Sequence, residues 1–197
     1  MNKSIGRRFV AGVEVMTSQW LSQIEDHFWR QGFKRDIWMI VDAARDQRIF
    51  PMLQEFHLEY YCLYSGPLPL TLQMAAPYLL QLDHNDQDTR HFLRHAWGKS
   101  WGVFLKCAVH ANALRRHLRE LLLVRDPHGD RLLFRYYDPR VLRLYLPSCY
   151  PEELQRVFGP IERFWMEDKA PEALMEFGFD GSRLVSNGFS LESSAII

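Results

Sequence analysis

Hydrophobic residues along the first 121 positions follow two different periods. Trp20, Leu21, Ile24 and Phe28 recur at helical spacing and Gly32 follows them, which predicts an amphipathic helix over residues 17–31. Short apolar runs rich in β-formers predict four strands, within residues 37–43, 59–64, 76–82 and 101–109. The segments between them predict helices at residues 51–57, 89–97 and 112–121. This alternation predicts an α/β (α+β) fold in which helices flank a mixed β-sheet.

The stretch LLLVR-DPHGD-RLLFRYY carries the clearest local pattern of the chain. Two apolar runs surround a segment that contains Asp126, Pro127 and Gly129, which are residue types that form tight turns. The pattern predicts a β-hairpin. We place it at the end of an N-terminal lobe over residues 17–137, which follows an N-terminal extension over residues 1–16.

After residue 137 the sequence has the features of short capped helices. Asp138 and Pro139 suit the N-cap and the first position of a helix, and Pro151 opens a second helix that Gly159 ends. These features predict a smaller, mostly helical C-terminal lobe over residues 138–185. Residues 186–197 show no periodicity and predict a flexible tail.

Charge is balanced over the whole chain but not along it. The sequence has 24 basic and 24 acidic residues, so nothing in the total charge favours a nucleic-acid or membrane partner. Residues 115–143 hold eight arginines and four acidic residues, whereas residues 151–182 hold eight acidic and three basic residues. The two stretches either face each other within one fold or present faces of opposite sign to different partners.

Several function classes lack their sequence features. The three cysteines, Cys62, Cys107 and Cys149, form no CxxC pair, which favours a reducing, cytoplasmic location. No apolar run approaches the ~18 residues of a membrane span, and Glu14 interrupts the apolar run after the N-terminal arginines, so we expect no export signal. No GxSxG, P-loop or GxGxxG motif is present, and we predict no catalytic residue, metal or cofactor.

Two histidines provide the alternative interpretation. His91 and His95 stand four residues apart on a predicted helix, a spacing that lets two imidazoles share a metal ion, as in a small metal-dependent hydrolase. Arg94 lies between them and would repel a cation, which favours two ordinary helix residues. Asp42 ends a predicted strand, where it either serves catalysis or, the interpretation we favour, caps the next turn.

The segment LFRYYDPRVLRLYLP, followed by LQRVFGPIERFWME, resembles the hallmark of the type VI secretion effector adaptor-chaperones, a family long described as a domain of unknown function. WMIVDAA, APYLLQL and WGVFLKC are similar to the family in order and spacing, so the resemblance spans about residues 17–167. It implies a non-enzymatic, cytoplasmic adaptor. Such an adaptor binds a toxic effector protein and helps to load it onto the spike-tip (VgrG-type) protein.

The same segment supplies the candidate partner-binding residues. Arginine and tyrosine are frequent at binding hot spots, and the segment joins the two predicted lobes. The alternative is internal structure, with Arg135 paired to Asp138 or to a C-terminal acid and with the tyrosine rings in the core. A second candidate is an exposed apolar groove, lined by Trp20, Trp29, Phe164 and Trp165. The partner-binding candidates are thus Arg135, Tyr136, Tyr137, Asp138, Arg140, Phe164 and Trp165.

Overall fold

A seven-stranded β-sheet lies between two layers of helices in the computed structural model, which describes residues 19–30, 32, 36–125 and 128–192. Its strands are β1 (Ile37–Asp42), β2 (Tyr60–Cys62), β3 (Pro77–Gln81), β4 (Gly102–Lys106), β7 (Arg163–Glu167), β8 (Ala173–Phe179) and β9 (Leu184–Ser190). The order across the sheet is β2-β3-β1-β4-β7-β8-β9, and each described neighbour pair is antiparallel. A separate hairpin joins β5 (Leu123–Arg125) to β6 (Arg131–Leu133).

Helices cover both faces of this sheet. They are α1 (19–28), α2 (Ile49–Glu55), α3 (Leu70–Gln73), α4 (Gln87–Ala96), α5 (Ala111–Leu121), α6 (Pro139–Tyr145) and α7 (Pro151–Phe158). Buried side chains of α1, α2 and α4 form one core with one face of the sheet, and those of α5, α6 and α7 form a second core on the other face. No helix in the described part of the chain is long and apolar enough to cross a membrane.

The inner strand β1 explains why the sheet needs two helical layers. All six of its residues are buried, with Met39 and Val41 in the first core and Trp38 and Ile40 in the second. A strand covered on both faces loses the polar–apolar alternation of a half-exposed strand, so its sequence is a continuous apolar run. The predicted amphipathic helix keeps its periodicity, because only one of its sides lies buried against this sheet.

The predicted α+β class is confirmed, but the sheet is antiparallel rather than mixed. Strand–helix alternation along a sequence determines neither the direction of a strand nor its neighbours. Here β1 lies between β3 and β4 and runs opposite to both. The predicted helices and strands up to residue 121 all form, with small differences at their ends.

The C-terminal part differs more from the prediction. Helices α6 and α7 form as expected, with the Asp138 side chain accepting a hydrogen bond from the backbone of Arg140 as an N-cap. The chain then forms β7, β8 and β9, and β7 pairs with β4, so this part continues the same sheet. Four of the five β7 residues are buried, which removes the alternation that identifies a strand. The predicted tail is a strand as far as Ser190, while residues 193–197 and 1–16 lie outside the described residues.

Candidate protein-binding surface

The segment that follows β6 enters the second core with two tyrosine rings. Tyr136 and Tyr137 are buried and lie edge to face, with ring centroids 5.7 Å apart. The Tyr136 hydroxyl donates a 2.7 Å hydrogen bond to the backbone oxygen of Leu118, near the end of α5. Burial raises the pKa of the Tyr136 hydroxyl, so it remains a donor at neutral pH. These rings anchor the segment to the core and present no contact surface in this conformation.

The Arg135 side chain reaches the C-terminal end of β1. Its Nη2 atom donates a 2.5 Å hydrogen bond to the Asp42 carboxylate, 93 residues away, and this contact raises the pKa of the guanidinium. Asp42 is buried and also accepts from the backbone N–H of Ala44, so it caps the turn after β1 as expected. The Arg135 side chain is 43% exposed, so one side of the guanidinium meets solvent.

Asp138 holds a second arginine in a similar way. Its two carboxylate oxygens accept hydrogen bonds of 2.9 and 2.6 Å from Nε and Nη2 of Arg140. Burial by itself would raise the pKa of Asp138, but the hydrogen bonds from Arg140 outweigh it and lower the pKa. The Arg140 side chain is 51% exposed. Arg135 and Arg140 are therefore two accessible guanidinium groups, each oriented by a buried carboxylate.

The aromatic residues expected to line an apolar groove are core residues instead. Trp20, Trp29, Phe164 and Trp165 are all buried. Trp165 donates a 2.8 Å hydrogen bond from Nε1 to Glu176, beside a cleft of about 210 Å³. This cleft is lined mostly by charged and polar side chains rather than apolar ones; they include His27, Arg30, Asp36, Lys106, Glu162, Arg163 and Glu176.

The hairpin of β5 and β6 exposes four aliphatic side chains, and we call these two strands the apolar ribbon. All six of its residues are exposed, with Leu123 opposite Leu133, Val124 opposite Leu132 and Arg125 opposite Arg131. The exposed fraction reaches 55% at Leu123 and 50% at Leu132. Leu122, the residue before β5, is buried, so the ribbon leaves the core there.

A basic helix leads directly into the apolar ribbon. Helix α5 buries Leu114, Leu118 and Leu121 against the sheet and turns its arginines outward. A shallow depression of about 420 Å³ lies along this outer side, lined by Ser65, Asn112, Arg115, Arg116, Arg119 and Glu120. Arg115 also donates to the backbone oxygen of Cys62, which fixes its stem. The apolar ribbon therefore follows, along the chain, a helix whose outer side carries three arginines.

The two histidines of the alternative interpretation lie side by side on α4. Their ring centroids are 4.7 Å apart, and Nδ1 of His95 donates to the backbone oxygen of His91. Among the residues that the structure describes, no group of three or more His, Cys, Asp or Glu side chains could hold a metal ion. The nearby surface depression is lined partly by arginines, including Arg90 and Arg94.

Sequence reasoning identified the hairpin but not its exposure. The sequence does contain a pattern of consecutive aliphatic residues, because Leu123 and Val124 follow each other on one strand and Leu132 and Leu133 on the other. Successive residues of a strand point to opposite faces, so such a pair makes both faces of a ribbon apolar. What could not be seen is that neither face is covered by the rest of the chain.

One comparison with known proteins gives a match. A family model described as a Domain of unknown function (DUF4123) matches residues 37–156, well over half of the 197 residues. The matched region runs from the start of β1 into α7, so it contains the apolar ribbon, Arg135 and Arg140. No curated protein and no solved structure matches the chain significantly.

Proposed function

Because the chain belongs to the family described as a Domain of unknown function (DUF4123), we propose that it is an adaptor-chaperone of type VI secretion. This family is associated with type VI secretion adaptors, and that association is the observation that carries the proposal. The protein binds a toxic effector in the cytoplasm and helps to load it onto the spike-tip protein. It acts by binding alone, without a cofactor and without catalysing a reaction.

The apolar ribbon supports a binding role on physical grounds. Contiguous aliphatic side chains on a protein surface are typical of sites that another molecule covers. Arg125 and Arg131 lie on the same two strands as the aliphatic side chains, and arginine is enriched where protein interfaces form. An adaptor needs such a surface for a partner that it holds and later releases.

An adaptor also needs a second contact, and exposed acidic side chains of the C-terminal part are available for one. Glu152 and Glu153 are exposed in the first turn of α7, and Glu172 and Asp180 are exposed near the ends of β8. Opposite charge on two surfaces lets two partners bind without competing, because each surface repels the partner of the other. In this proposal the apolar ribbon with its arginines holds the effector, and the exposed acidic residues contact the spike-tip protein.

Affinity purification from the native host tests this proposal. The tagged full-length protein is recovered from cells that express the secretion genes, and bound proteins are identified by mass spectrometry. We expect a toxin-like effector and a spike-tip protein, each of which then binds the purified adaptor directly. In a strain that lacks the adaptor, the effector should be missing from the secreted fraction while the spike-tip protein is still secreted. Recovery of neither partner, with effector secretion unchanged in the deletion strain, would refute the proposal.

A further inference from the structure

We propose that the apolar ribbon binds an acidic, extended segment of the effector as a third β-strand; this inference rests on the proposed function. The binding segment alternates its side chains between the two faces of the ribbon. It places aliphatic side chains beside Leu123, Val124, Leu132 and Leu133, and a carboxylate beside Arg125 and Arg131.

The backbone of the ribbon favours an added strand. Strands β5 and β6 form a two-stranded sheet, and among the described residues no further strand joins either of its edges. A two-stranded hairpin is only marginally stable in water, and three strands are usually needed. Exposed strand edges with aliphatic side chains are also the sites at which other chains add by backbone hydrogen bonding.

The side chains favour a strand over a helix. Leu123 and Leu133 project from one face of the ribbon, whereas Val124 and Leu132 project from the other, and all four are exposed. A helix that packs on the ribbon would cover one face and leave the second exposed. A strand added at an edge places its own side chains on both faces, so it extends both aliphatic surfaces at once.

The charge of the surface determines the chemistry of the partner. Arg125 and Arg131 are directly opposite each other, and Arg125 also donates a hydrogen bond to the backbone oxygen of Gly129, so two guanidinium groups lie at this end of the ribbon. They share a face with Leu123 and Leu133, two positions along each strand. A partner strand therefore carries a carboxylate about 7 Å from an aliphatic side chain on the same face. Residues 1–16 of this chain hold three basic residues and one acidic residue, so they do not fit.

Synthetic peptides test the chemistry with the full-length protein. The probe is the capped peptide TSEVIVETS, which carries aliphatic side chains on both faces and glutamate toward either end. Matched controls are TSKVIVKTS, which reverses the charge, and TSEVPVETS, whose proline removes a backbone donor. We expect the probe to bind at least tenfold more tightly than either control and to slow hydrogen exchange in residues 122–134. Equal affinity for the glutamate and lysine peptides, or protection confined to other regions, would overturn the proposal.

Threonine variants of the ribbon test the location. Val124→Thr and Leu132→Thr keep a good β-former at exposed positions, so the fold should persist, which the unfolding midpoint verifies. Each variant should weaken probe binding at least fivefold, whereas Val185→Thr, an exposed change on β9, should leave it unchanged. If the wild-type protein dimerises in a concentration-dependent way that both ribbon variants abolish, the ribbon binds a second copy and the proposal is wrong.

The same variants separate this inference from the proposed function. If the wild-type protein captures an effector and the ribbon variants do not, the adaptor function and the ribbon as its effector site are both supported. Effector capture that is equal in the wild type and in both variants would retain the adaptor function and overturn the ribbon as its effector site. Selective binding of the acidic peptide without any effector or spike-tip capture would retain strand addition at the ribbon but overturn the effector as its occupant.

Discussion

The ion pair between Arg135 and Asp42 offers a direct test of whether Arg135 holds the fold together. Arg135→Gln removes the guanidinium that lies 2.5 Å from a carboxylate with 1% exposure. Removing one partner of a fully buried pair costs about 3–5 kcal/mol, whereas exposed pairs contribute about 0–1 kcal/mol. Arg135 is 43% exposed, so water can partly replace it beside the carboxylate. We therefore expect the free energy of unfolding to fall by about 2 kcal/mol.

Urea unfolding at pH 7 measures this loss, and thermal unfolding should show a drop of about 4–8 °C in Tm. A double-mutant cycle with Asp42→Asn isolates the pair, because asparagine keeps an oxygen that can accept from Ala44. We expect a coupling free energy of about 1–2 kcal/mol. Arg183→Gln is the matched control, since its partner Asp180 lies at the surface, and it should change stability by less than about 0.5 kcal/mol. If Arg135→Gln equals this control and the cycle is additive, the structural role of the pair is refuted.

Three further substitutions test other contacts. Tyr136→Phe removes the hydroxyl that donates to the backbone of Leu118, and urea unfolding should show a loss of about 1–2 kcal/mol. Burial raises the pKa of Glu167 above its ordinary value of 4.5, so the folded state keeps this proton to higher pH than the unfolded state does. The free energy of unfolding therefore falls as the pH rises from 4.5 to the raised pKa. Glu167→Gln should remove that fall in a pH series of unfolding curves. Gly159→Ala adds a Cβ 2.4 Å from the His117 ring at a φ of +49°, and calorimetry should show a loss of about 2 kcal/mol or more.

Two of these have a control variant, and the third has an outcome that would contradict it. Tyr61→Phe removes a hydroxyl that hydrogen-bonds to Glu59 at the surface, and a loss as large as that of Tyr136→Phe would contradict the importance of burial. Gly181→Ala meets no atom within 4 Å, although its φ is also positive, so it should cost only about 1 kcal/mol. Equal losses at both glycines would exclude the clash with His117. An unchanged pH slope in Glu167→Gln would show that other groups cause it.

Local chemistry made much of the fold predictable from the sequence. The Asp138–Pro139 pair opens a helix because its capping contacts involve residues within the next turn. The hairpin forms where Gly129 adopts a positive φ between two β-forming runs. Strand β7 was missed because both of its faces are covered, so its sequence shows no period of two.

The candidate site was less predictable, because its geometry depends on distant parts of the chain. The Tyr136 hydroxyl finds its acceptor 18 residues away, and Arg135 finds its carboxylate 93 residues away. Arginine and tyrosine suit both cores and interfaces, so residue type alone could not separate the two roles. For Arg135 the structural role follows from the position of Asp42 at the end of β1. This carboxylate holds the guanidinium at the sheet, while one side of the guanidinium stays exposed.

The position of β1 in the sheet has a consequence for synthesis on the ribosome. Among the described strands this one emerges first, yet it lies between β3 and β4, and β4 ends at Lys106, more than 60 residues after β1 ends at Asp42. At a translation rate of about 5–20 residues per second, both edges of the IWMIVD strand cannot be paired until roughly 3–13 s after it is made. During that interval the nascent chain exposes its most apolar strand. A protein proposed to protect another polypeptide therefore needs protection of its own while it is being made.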